Sequence, residues 1–245
     1  MKIRLNCDMG ESFGIWKMGL DEQIMPYIDM ANLACGFHAS DAVTMNSSVK
    51  LAKQNKVIIG AHPAYQDLVG FGRRSISCTN EEIETLILYQ LGALSAFCVV
   101  HKTKISYVKP HGALYNDMMK NENIFCSILK AISSFNSSIK LMILSTPNNE
   151  KFKTIADTYN IELLYEVFAD RNYNDDGTLV ARTDKNAVIH DVNIVQKRVE
   201  TLQNSGYLYS INEKKLFIQA DTICVHGDNE EALSFIKLLQ KLLNR

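Results

Sequence analysis

The sequence has no excess of charge of either sign, because 26 lysines and arginines are balanced by 27 aspartates and glutamates. A surface that binds nucleic acid usually shows a basic excess or a basic stripe, so we do not expect nucleic acid to be a partner. The chain is also poor in proline, with 4 among 245 residues, and no low-complexity linker divides it. Together with a hydrophobic content of 47%, these features predict one folded domain over residues 1–245.

Paired cysteines and long apolar runs are absent as well. The 6 cysteines form no CxxC motif, which argues against a zinc knuckle or a disulfide scaffold and is typical of reduced thiols in a cytoplasmic protein. The first residues, MKIRLNCDMGE, turn acidic too early for a secretory signal. The most apolar stretch, residues 86–100, is interrupted by polar residues and glycine, and falls short of the roughly 20 residues of a membrane span. We therefore expect a cytoplasmic protein without a membrane segment.

Nucleotide-binding signatures are missing too. The chain contains no GxxxxGKS/T phosphate loop. The segment GFGRR at 70–74 lacks the third glycine and the strand-to-helix context of a dinucleotide-binding motif. Motifs alone therefore predict no nucleotide site in this chain.

What the sequence does contain is a regular alternation of short apolar runs with longer amphipathic runs. Seven short runs are predicted strands: 3–7, 30–35, 57–61, 106–109, 141–145, 162–167 and 222–225. Strands that alternate with helices form parallel sheets, so we predict an α/β fold, and a β/α barrel is one arrangement of these strands. An open doubly wound sheet fits the same alternation, but it usually has one site at one switch point. Here polar motifs follow almost every strand.

Two helices are marked clearly by their ends. The longest helical pattern covers about residues 80–102 and begins with a capping box formed by Thr79 and Glu82. Asp228 and Glu231 repeat this device before the last helix. One face of that helix carries Leu233, Ile236, Leu239 and Leu243. Residues 170–182, rich in Asp, Asn and Gly, predict a long loop with a functional reason to exist.

The predicted strand ends carry the residues that can do chemistry. In chain order these are Asn6, Asp8 and Glu11; His38 and Asp41; His62 and Asp67; Lys109, His111 and Asn116; Glu166, Asp170 and Arg171; and His226 and Asp228. The carboxyl ends of parallel barrel strands meet on one face, where they can surround one ligand. A single histidine is more often a half-buried residue bonded to the backbone, but four at strand ends indicate an enzyme.

Two kinds of binding are open at this face. Asp8, His38 and His62 offer a set of ligands for a divalent metal such as Zn²⁺ or Mn²⁺, although hydrogen bonding to substrate is an equal use for them. Lys109 and Arg171 are the cations best placed to hold a carboxylate or a phosphate. Arg73 and Arg74 also stand in a loop-like segment and are either free cations or partners of nearby acids. Glu166 and Asp170 are either a general acid or base with a helper or a pair that orders the loop.

These motifs together resemble the LamB/YcsF family over almost the whole chain. The segments that carry the resemblance are NCDMGESFG at 6–14, NLACGFHASD at 32–41, GAHPAYQD at 60–67, GFGRR at 70–74, VKPHGALYN at 108–116, EVFADRNY at 166–173, DGTLVAR at 176–182 and ICVHGD at 223–228. The chain departs from the usual family pattern at Ser40, where glycine is common, at Ala64 and Gln66, and at Lys185–Asn186. None of these departures removes an acid, a base or a histidine.

The resemblance implies a seven-stranded barrel related to the polysaccharide deacetylases. It also implies ATP-dependent opening of 5-oxo-L-proline (pyroglutamate) to L-glutamate, carried out with the B and C subunits of a 5-oxoprolinase. ATP is then a co-substrate of the complex, which agrees with the missing phosphate loop.

We assign candidate roles on this basis. The candidate catalytic residues are Asp8, His62, His111, Glu166 and Asp170, and the candidate substrate-binding residues are Asn6, Glu11, Lys109, Arg171 and His226. Asp8 and His62 would activate water, directly or through a metal, and His111 or Glu166 would handle the proton on the ring nitrogen. Two other functions stay open: a metal-dependent deacetylase or amidase that acts alone, and a non-catalytic subunit that binds pyroglutamate.

Overall fold

The protein is a closed barrel of seven parallel strands surrounded by helices, which confirms the predicted α/β barrel. The computed structural model describes residues 3–181, 183–225 and 230–243, and of residues 230–232 only the backbone. The barrel strands are β1 (Arg4–Met9), β2 (Met30–Ala34), β3 (Ile58–His62), β4 (Tyr107–Val108), β5 (Lys140–Leu144), β6 (Leu163–Phe168) and β9 (Thr222–Cys224). Each corresponds to a predicted strand, with ends that differ by at most two residues.

The barrel closes because β9 pairs with both β6 and β1. Between the strands lie the helices α1 (Asp21–Ile24), α2 (Ala42–Gln54), α3 (Asn80–Val100), α4 (Gly112–Lys120), α5 (Glu122–Asn136), α6 (Asn149–Thr158), α7 (Val192–Ser205) and α8 (Glu230–Leu243). A short antiparallel hairpin, β7 (Tyr207–Tyr209) with β8 (Lys215–Phe217), precedes β9 and was not predicted. Its strands have three residues each, which is too short for an alternating pattern to stand out.

The interior of the barrel changes from apolar to polar along the strands. Alternate residues of a strand point to the same side of the sheet. Met30, Tyr107, Met142 and Leu164 form a separate buried apolar cluster. Two residues further along three of those strands come Asn32, Lys109 and Glu166, all buried. The polar layer therefore lies at the carboxyl end of the barrel, where the sequence analysis expected it.

A glycine makes room inside the barrel. A Cβ atom at Gly60 would lie 2.2 Å from the ring of Tyr107. Since even alanine does not fit there, the Tyr107 ring fills the barrel interior at that level.

The helix ends follow the signals in the sequence. The Thr79 side chain accepts a hydrogen bond from the Glu82 amide, and the Glu82 carboxylate accepts one from the Thr79 amide, so the predicted capping box is confirmed. In α8, Ile236, Leu239 and Leu243 are buried, as the predicted apolar face requires. The second predicted capping box, Asp228 with Glu231, lies outside the residues whose side chains are described.

Helix α3 matches the helical pattern predicted at about 80–102 and extends beyond the apolar run at 86–100. It has 21 residues with a mean hydropathy of 1.7 over its most apolar window, so by length and composition it is able to cross a membrane, and the expectation that this segment is too short was wrong. The helix packs along α5, and its buried residues are Ile83, Ile87, Gln90, Leu91, Leu94 and Cys98. One such helix is weak evidence for a membrane, because core helices of soluble proteins have the same composition. The cytoplasmic location stays a prediction.

Candidate active site

A buried lysine joins two carboxylates at the carboxyl end of the barrel. The Nζ atom of Lys109 lies 3.0 Å from Oδ1 of Asp8 and 2.8 Å from Oε1 of Glu166. Burial opposes the charge of Lys109, but Asp8, the sulfur of Cys224 and Glu166 together raise its pKa well above the ordinary value. Lys109 is therefore charged and held between acids. It is not a free cation that waits for an anion.

Hydrogen bonds hold both carboxylates in place. Glu166 accepts a bond of 2.8 Å from the Tyr115 hydroxyl. Asp8 accepts one of 2.7 Å from the Asn32 side-chain amide, whose oxygen in turn accepts 2.6 Å from the Tyr107 hydroxyl. Burial, with Glu166 as a further cause, raises the pKa of Tyr115 well above the ordinary value, so this hydroxyl keeps its proton and donates.

Asn6 belongs to the same network. Its side-chain nitrogen donates to Thr222 Oγ1 at 2.8 Å, and its oxygen accepts from Asn32 at 2.8 Å. Asn6 is fully buried, and its side-chain amide is hydrogen-bonded to other protein groups, so it helps to hold Asn32 in place. Its predicted role in binding substrate stays a prediction.

Three buried histidines gather beside Asp8. His62 Nε2 lies 3.4 Å from Asp8 Oδ2 and 3.0 Å from His111 Nδ1. The rings of His38 and His111 stack with centroids 3.8 Å apart. His38 Nε2 lies 3.1 Å from Glu11 Oε1, and His111 Nδ1 lies 3.7 Å from the same oxygen. Burial, followed by the neighbouring histidines, lowers the pKa of His111 well below the ordinary value, and burial does the same for His38, so both rings are neutral at pH 7.

A loop after β3 covers the histidines. The Phe71 carbonyl accepts a 2.9 Å hydrogen bond from His111 Nε2, and the Phe71 ring meets His38 edge-on. A Cβ atom at Gly72 would lie 2.8 Å from both His38 and His111, so glycine is required where the loop touches the rings.

The two arginines of this loop differ in their contacts. Arg74 is paired with Asp67. Arg73 is exposed, with its guanidinium 5.3 Å from the centre of the Phe71 ring.

Two other predicted site residues lie apart from this cluster, and two lie outside the described residues. Arg171 donates to the carbonyl oxygens of Ala187 and Val180, at 3.2 Å and 2.7 Å, and so orders the long loop after β6. Asp41 caps α2 by accepting from the amides of residues 43 and 44. His226 and Asp228 lie outside the described residues. The predicted loop at 170–182 is irregular over the part of the chain that the structure describes.

The predicted metal ligands Asp8, His38 and His62 lie close together. The ring centres of His38 and His62 are 5.5 Å apart, and Asp8 faces His62 Nε2 with Oδ2 at 3.4 Å while its Oδ1 binds Lys109. Their close neighbours are Glu11 and His111, and the four side chains of Glu11, His38, His62 and His111 each offer one ligand atom within 4.8 Å of the others. Sequence reasoning assigned Glu11 and His111 to substrate and proton transfer, since residues from different strands have no spacing to test.

Asn32, Tyr107, Tyr115 and Cys224 were missed as parts of the site. Asn32, Tyr115 and Cys224 stand inside the family segments NLACGFHASD, VKPHGALYN and ICVHGD, which was the only available signal. Cys224 lies 3.2 Å from Lys109 Nζ. Burial raises the pKa of this thiol well above its ordinary value, which argues against a nucleophilic thiolate.

The residues GESFG at 10–14 match the GxSxG pattern of serine hydrolases by spacing. Such a serine stands on a tight turn between a strand and a helix. Here β1 ends at Met9 and the next helix begins at Asp21. Ser12 Oγ exchanges hydrogen bonds with the backbone of Met18, at 2.9 Å and 3.2 Å. The match therefore does not mark a nucleophile.

Comparison with known proteins agrees with the motifs. The chain is 52% identical over 242 residues to a Vibrio vulnificus protein named as the A subunit of 5-oxoprolinase, in an alignment that covers 99% of this chain and 97% of the relative. A Vibrio campbellii protein of the same name is 50% identical over 99% of this chain and 96% of its own length. The crystal structure of the lactam utilization protein from Thermus thermophilus superposes with a TM-score of 0.92 at 33% identity, over 100% of this chain and 96% of that chain. The sequence model of the LamB/YcsF family matches residues 3–245, and the chain belongs to that family.

Proposed function

We propose that this chain is the A subunit of a 5-oxoprolinase and that, with B and C subunits, it opens 5-oxo-L-proline to L-glutamate at the expense of ATP. The observation that carries the proposal is the near-complete alignment, at about 50% identity, with proteins named as the A subunit of 5-oxoprolinase. The site is consistent with it, because a carboxylate, a buried lysine and three histidines converge at the carboxyl end of the barrel.

The chemistry explains the need for ATP. A lactam is a resonance-stabilised amide, and a five-membered ring returns the amine to the carbonyl at high effective concentration. Transfer of the γ-phosphoryl group of ATP to the lactam oxygen releases ADP and exposes the ring carbon to water. Addition of water and cleavage of the C–N bond, with a proton delivered to nitrogen, leave γ-glutamyl phosphate. A second water then releases phosphate and glutamate.

The geometry suggests which side chain acts at each point. Asp8, with Oδ2 beside His62, is the group that we assign to the attacking water. Glu166 is fully buried and binds Lys109, which in turn binds Asp8. We therefore assign Glu166 to positioning Lys109 and leave the proton for nitrogen to the histidines. Arg73 is exposed beside the Phe71 ring, whereas the predicted cations Lys109 and Arg171 are buried. Arg73 is therefore better placed to meet a carboxylate or a phosphate.

The first experiment is glutamate release from 5-oxoproline by this chain alone and mixed with the B and C proteins, with and without ATP. We expect release only in the full mixture with ATP. Release by the isolated chain without ATP would favour the stand-alone deacetylase or amidase instead. Pyroglutamate binding without any effect of site substitutions on turnover would favour the non-catalytic subunit.

The second experiment is Asp8→Asn, measured as turnover in the assembled complex. We expect turnover to fall by at least about 100-fold, because general-base catalysis contributes about 10²–10⁴-fold. The fold should survive, since asparagine still accepts from Asn32 and Lys109. Asp157→Asn, on the exposed surface of α6, is the matched control and should leave turnover unchanged. Full turnover in Asp8→Asn would contradict the assigned role.

A further inference from the structure

Two backbone carbonyls determine which histidine nitrogens carry hydrogen. The Lys109 carbonyl lies 2.6 Å from His62 Nδ1, and the Phe71 carbonyl lies 2.9 Å from His111 Nε2. A carbonyl oxygen only accepts hydrogen bonds, so each of these nitrogens is a donor. The other nitrogens of these two rings, His62 Nε2 and His111 Nδ1, face each other at 3.0 Å. Two ring nitrogens this close repel each other unless they share a cation, which is either a proton or a metal ion.

Glu11 and His38 complete the arrangement. Glu11 Oε1 lies 3.1 Å from His38 Nε2 and 3.7 Å from His111 Nδ1. Four ligands at tetrahedral zinc, with bonds of about 2.0–2.1 Å, are separated from one another by about 3.3–3.4 Å. The separations of 3.0 Å and 3.7 Å at His111 Nδ1 bracket that value, and all four side chains offer a ligand atom within 4.8 Å of the others.

His38 supplies an independent sign of a ligand. It is fully buried, and its Nδ1 atom has no hydrogen-bond partner in the described part of the chain. Buried polar side-chain atoms nearly always have a partner, so an orphan nitrogen in the middle of a histidine cluster needs an explanation. A site that is completed by a bound ion, with the ring turned to coordinate it, provides one.

We propose that Glu11, His38, His62 and His111 bind one divalent transition-metal ion of the zinc class. Three imidazoles and one carboxylate suit such an ion, whereas Mg²⁺ and Ca²⁺ prefer oxygen ligands. When bound, the ion would act as a Lewis acid toward a carbonyl or phosphoryl oxygen next to Asp8. We leave Asp8 out of this ligand set, since its Oδ1 binds Lys109 and its Oδ2, 3.4 Å from His62 Nε2, is the oxygen assigned to the attacking water. The proposal does not depend on the substrate that the complex uses.

The test is direct metal binding by the full chain without a histidine tag. After chelation and dialysis, Zn²⁺ is titrated by calorimetry at neutral pH, and the bound metal is counted by mass spectrometry. We expect one zinc per chain, visible absorption typical of tetrahedral Co²⁺ when cobalt replaces zinc, and no heat with Mg²⁺. Glu11→Gln and His111→Gln should each weaken zinc binding at least about tenfold, since even changes outside the ligand sphere cost about 10–100-fold.

His190→Gln is the matched control, because His190 is exposed and distant in sequence from the cluster. It should bind zinc like the wild type. Should His111→Gln fail to fold by circular dichroism, Glu11→Gln decides the test, since Glu11 lies on a partly exposed loop. No zinc binding by the wild type, or equal binding by all variants, would overturn the proposal. Zinc binding without glutamate release by the complex would contradict the proposed function and leave this site intact.

Discussion

At the scale of single residues, Lys109 makes it possible to bury Glu166 and to hold Asp8 partly buried in one barrel. Its side chain is 3% exposed, and Glu166 is fully buried. A buried charge is tolerated when it is paired and hydrogen-bonded, and removing one partner leaves the others uncompensated. The Phe168 ring, 5.4 Å from Lys109 Nζ, adds a further favourable contact.

We expect Lys109→Met to lower the free energy of unfolding by about 3–5 kcal/mol, as for other broken buried ion pairs. Adding Glu166→Gln should restore part of this loss, because it removes one of the carboxylates left without a cation. Urea denaturation of the two single variants and the double variant measures the coupling. Lys153→Met, in an exposed pair on α6, is the control and should leave the stability nearly unchanged. Strictly additive losses would contradict this account.

Ser40 shows a different effect at the same scale. It stands where the family usually has glycine, and its φ is +75°, in the left-handed region. That conformation costs an L-residue about 1–2 kcal/mol, while glycine adds up to about 1 kcal/mol of unfolded-state entropy. We expect Ser40→Gly to stabilise the protein by up to about 1 kcal/mol in thermal unfolding. Ser47→Gly, in the middle of α2, should destabilise it by about 0.5 kcal/mol.

At the scale of elements, helix α3 positions the loop that covers the histidines. Its one fully buried amide, Gln90, donates to the Ala64 carbonyl and accepts from the Ala64 amide, both at 2.9 Å. These bonds hold the chain just after β3, a few residues before Phe71 and Gly72. The buried apolar residues of α3 therefore pack in the core, and its single buried polar side chain, Gln90, holds the loop that covers the histidines.

Replacing Gln90 with methionine, which has a similar shape, should cost about 2–4 kcal/mol of stability, because it leaves two buried backbone groups without partners. Turnover of the complex should also fall, since the loop at 64–72 loses its anchor. Gln54→Met, at the exposed end of α2, is the matched control. Chemical denaturation and steady-state kinetics provide the two measurements. Unchanged stability in Gln90→Met would show that water replaces the lost bonds.

At the scale of the whole molecule, a carboxylate after β1 couples folding to pH. Burial, opposed in part by the Gly10 amide, raises the pKa of Asp21 from 3.8 to about 6. Glu11 and Glu22 raise it further, and Lys17 lowers it. Because the folded state holds this proton more tightly than the unfolded state, the stability contributed by Asp21 is present in acid and is lost as pH rises from about 4 to about 6.

Asp21→Asn should therefore be more stable than the wild type at pH 7 to 8, by up to about 3 kcal/mol for this difference in pKa. Asparagine keeps an oxygen for the Gly10 amide, which Asp21 binds at 2.8 Å. The advantage should disappear near pH 4, where the wild-type carboxyl is protonated. Melting temperatures of both proteins across this range decide the matter. An advantage that stays constant with pH would rule out titration of Asp21 as its cause.

The sequence by itself determined the strands and helices, because apolar runs and capping residues are local signals. All seven barrel strands and the Thr79 capping box could be read from neighbouring residues, and so could the strand ends that carry Asp8, His62 and Lys109. The β7–β8 hairpin escaped because its strands are too short for a periodic pattern.

Only the tertiary structure decided how the site residues are used. Lys109 became a bridge between Asp8 and Glu166 because three different strands deliver them to one point. His62 Nε2 and His111 Nδ1 face each other because the carbonyls of residues 109 and 71 accept hydrogen bonds from the other nitrogen of each ring. Such contacts join residues tens of positions apart, and spacing along the chain carries no information about the distance between side chains that meet only when the barrel closes.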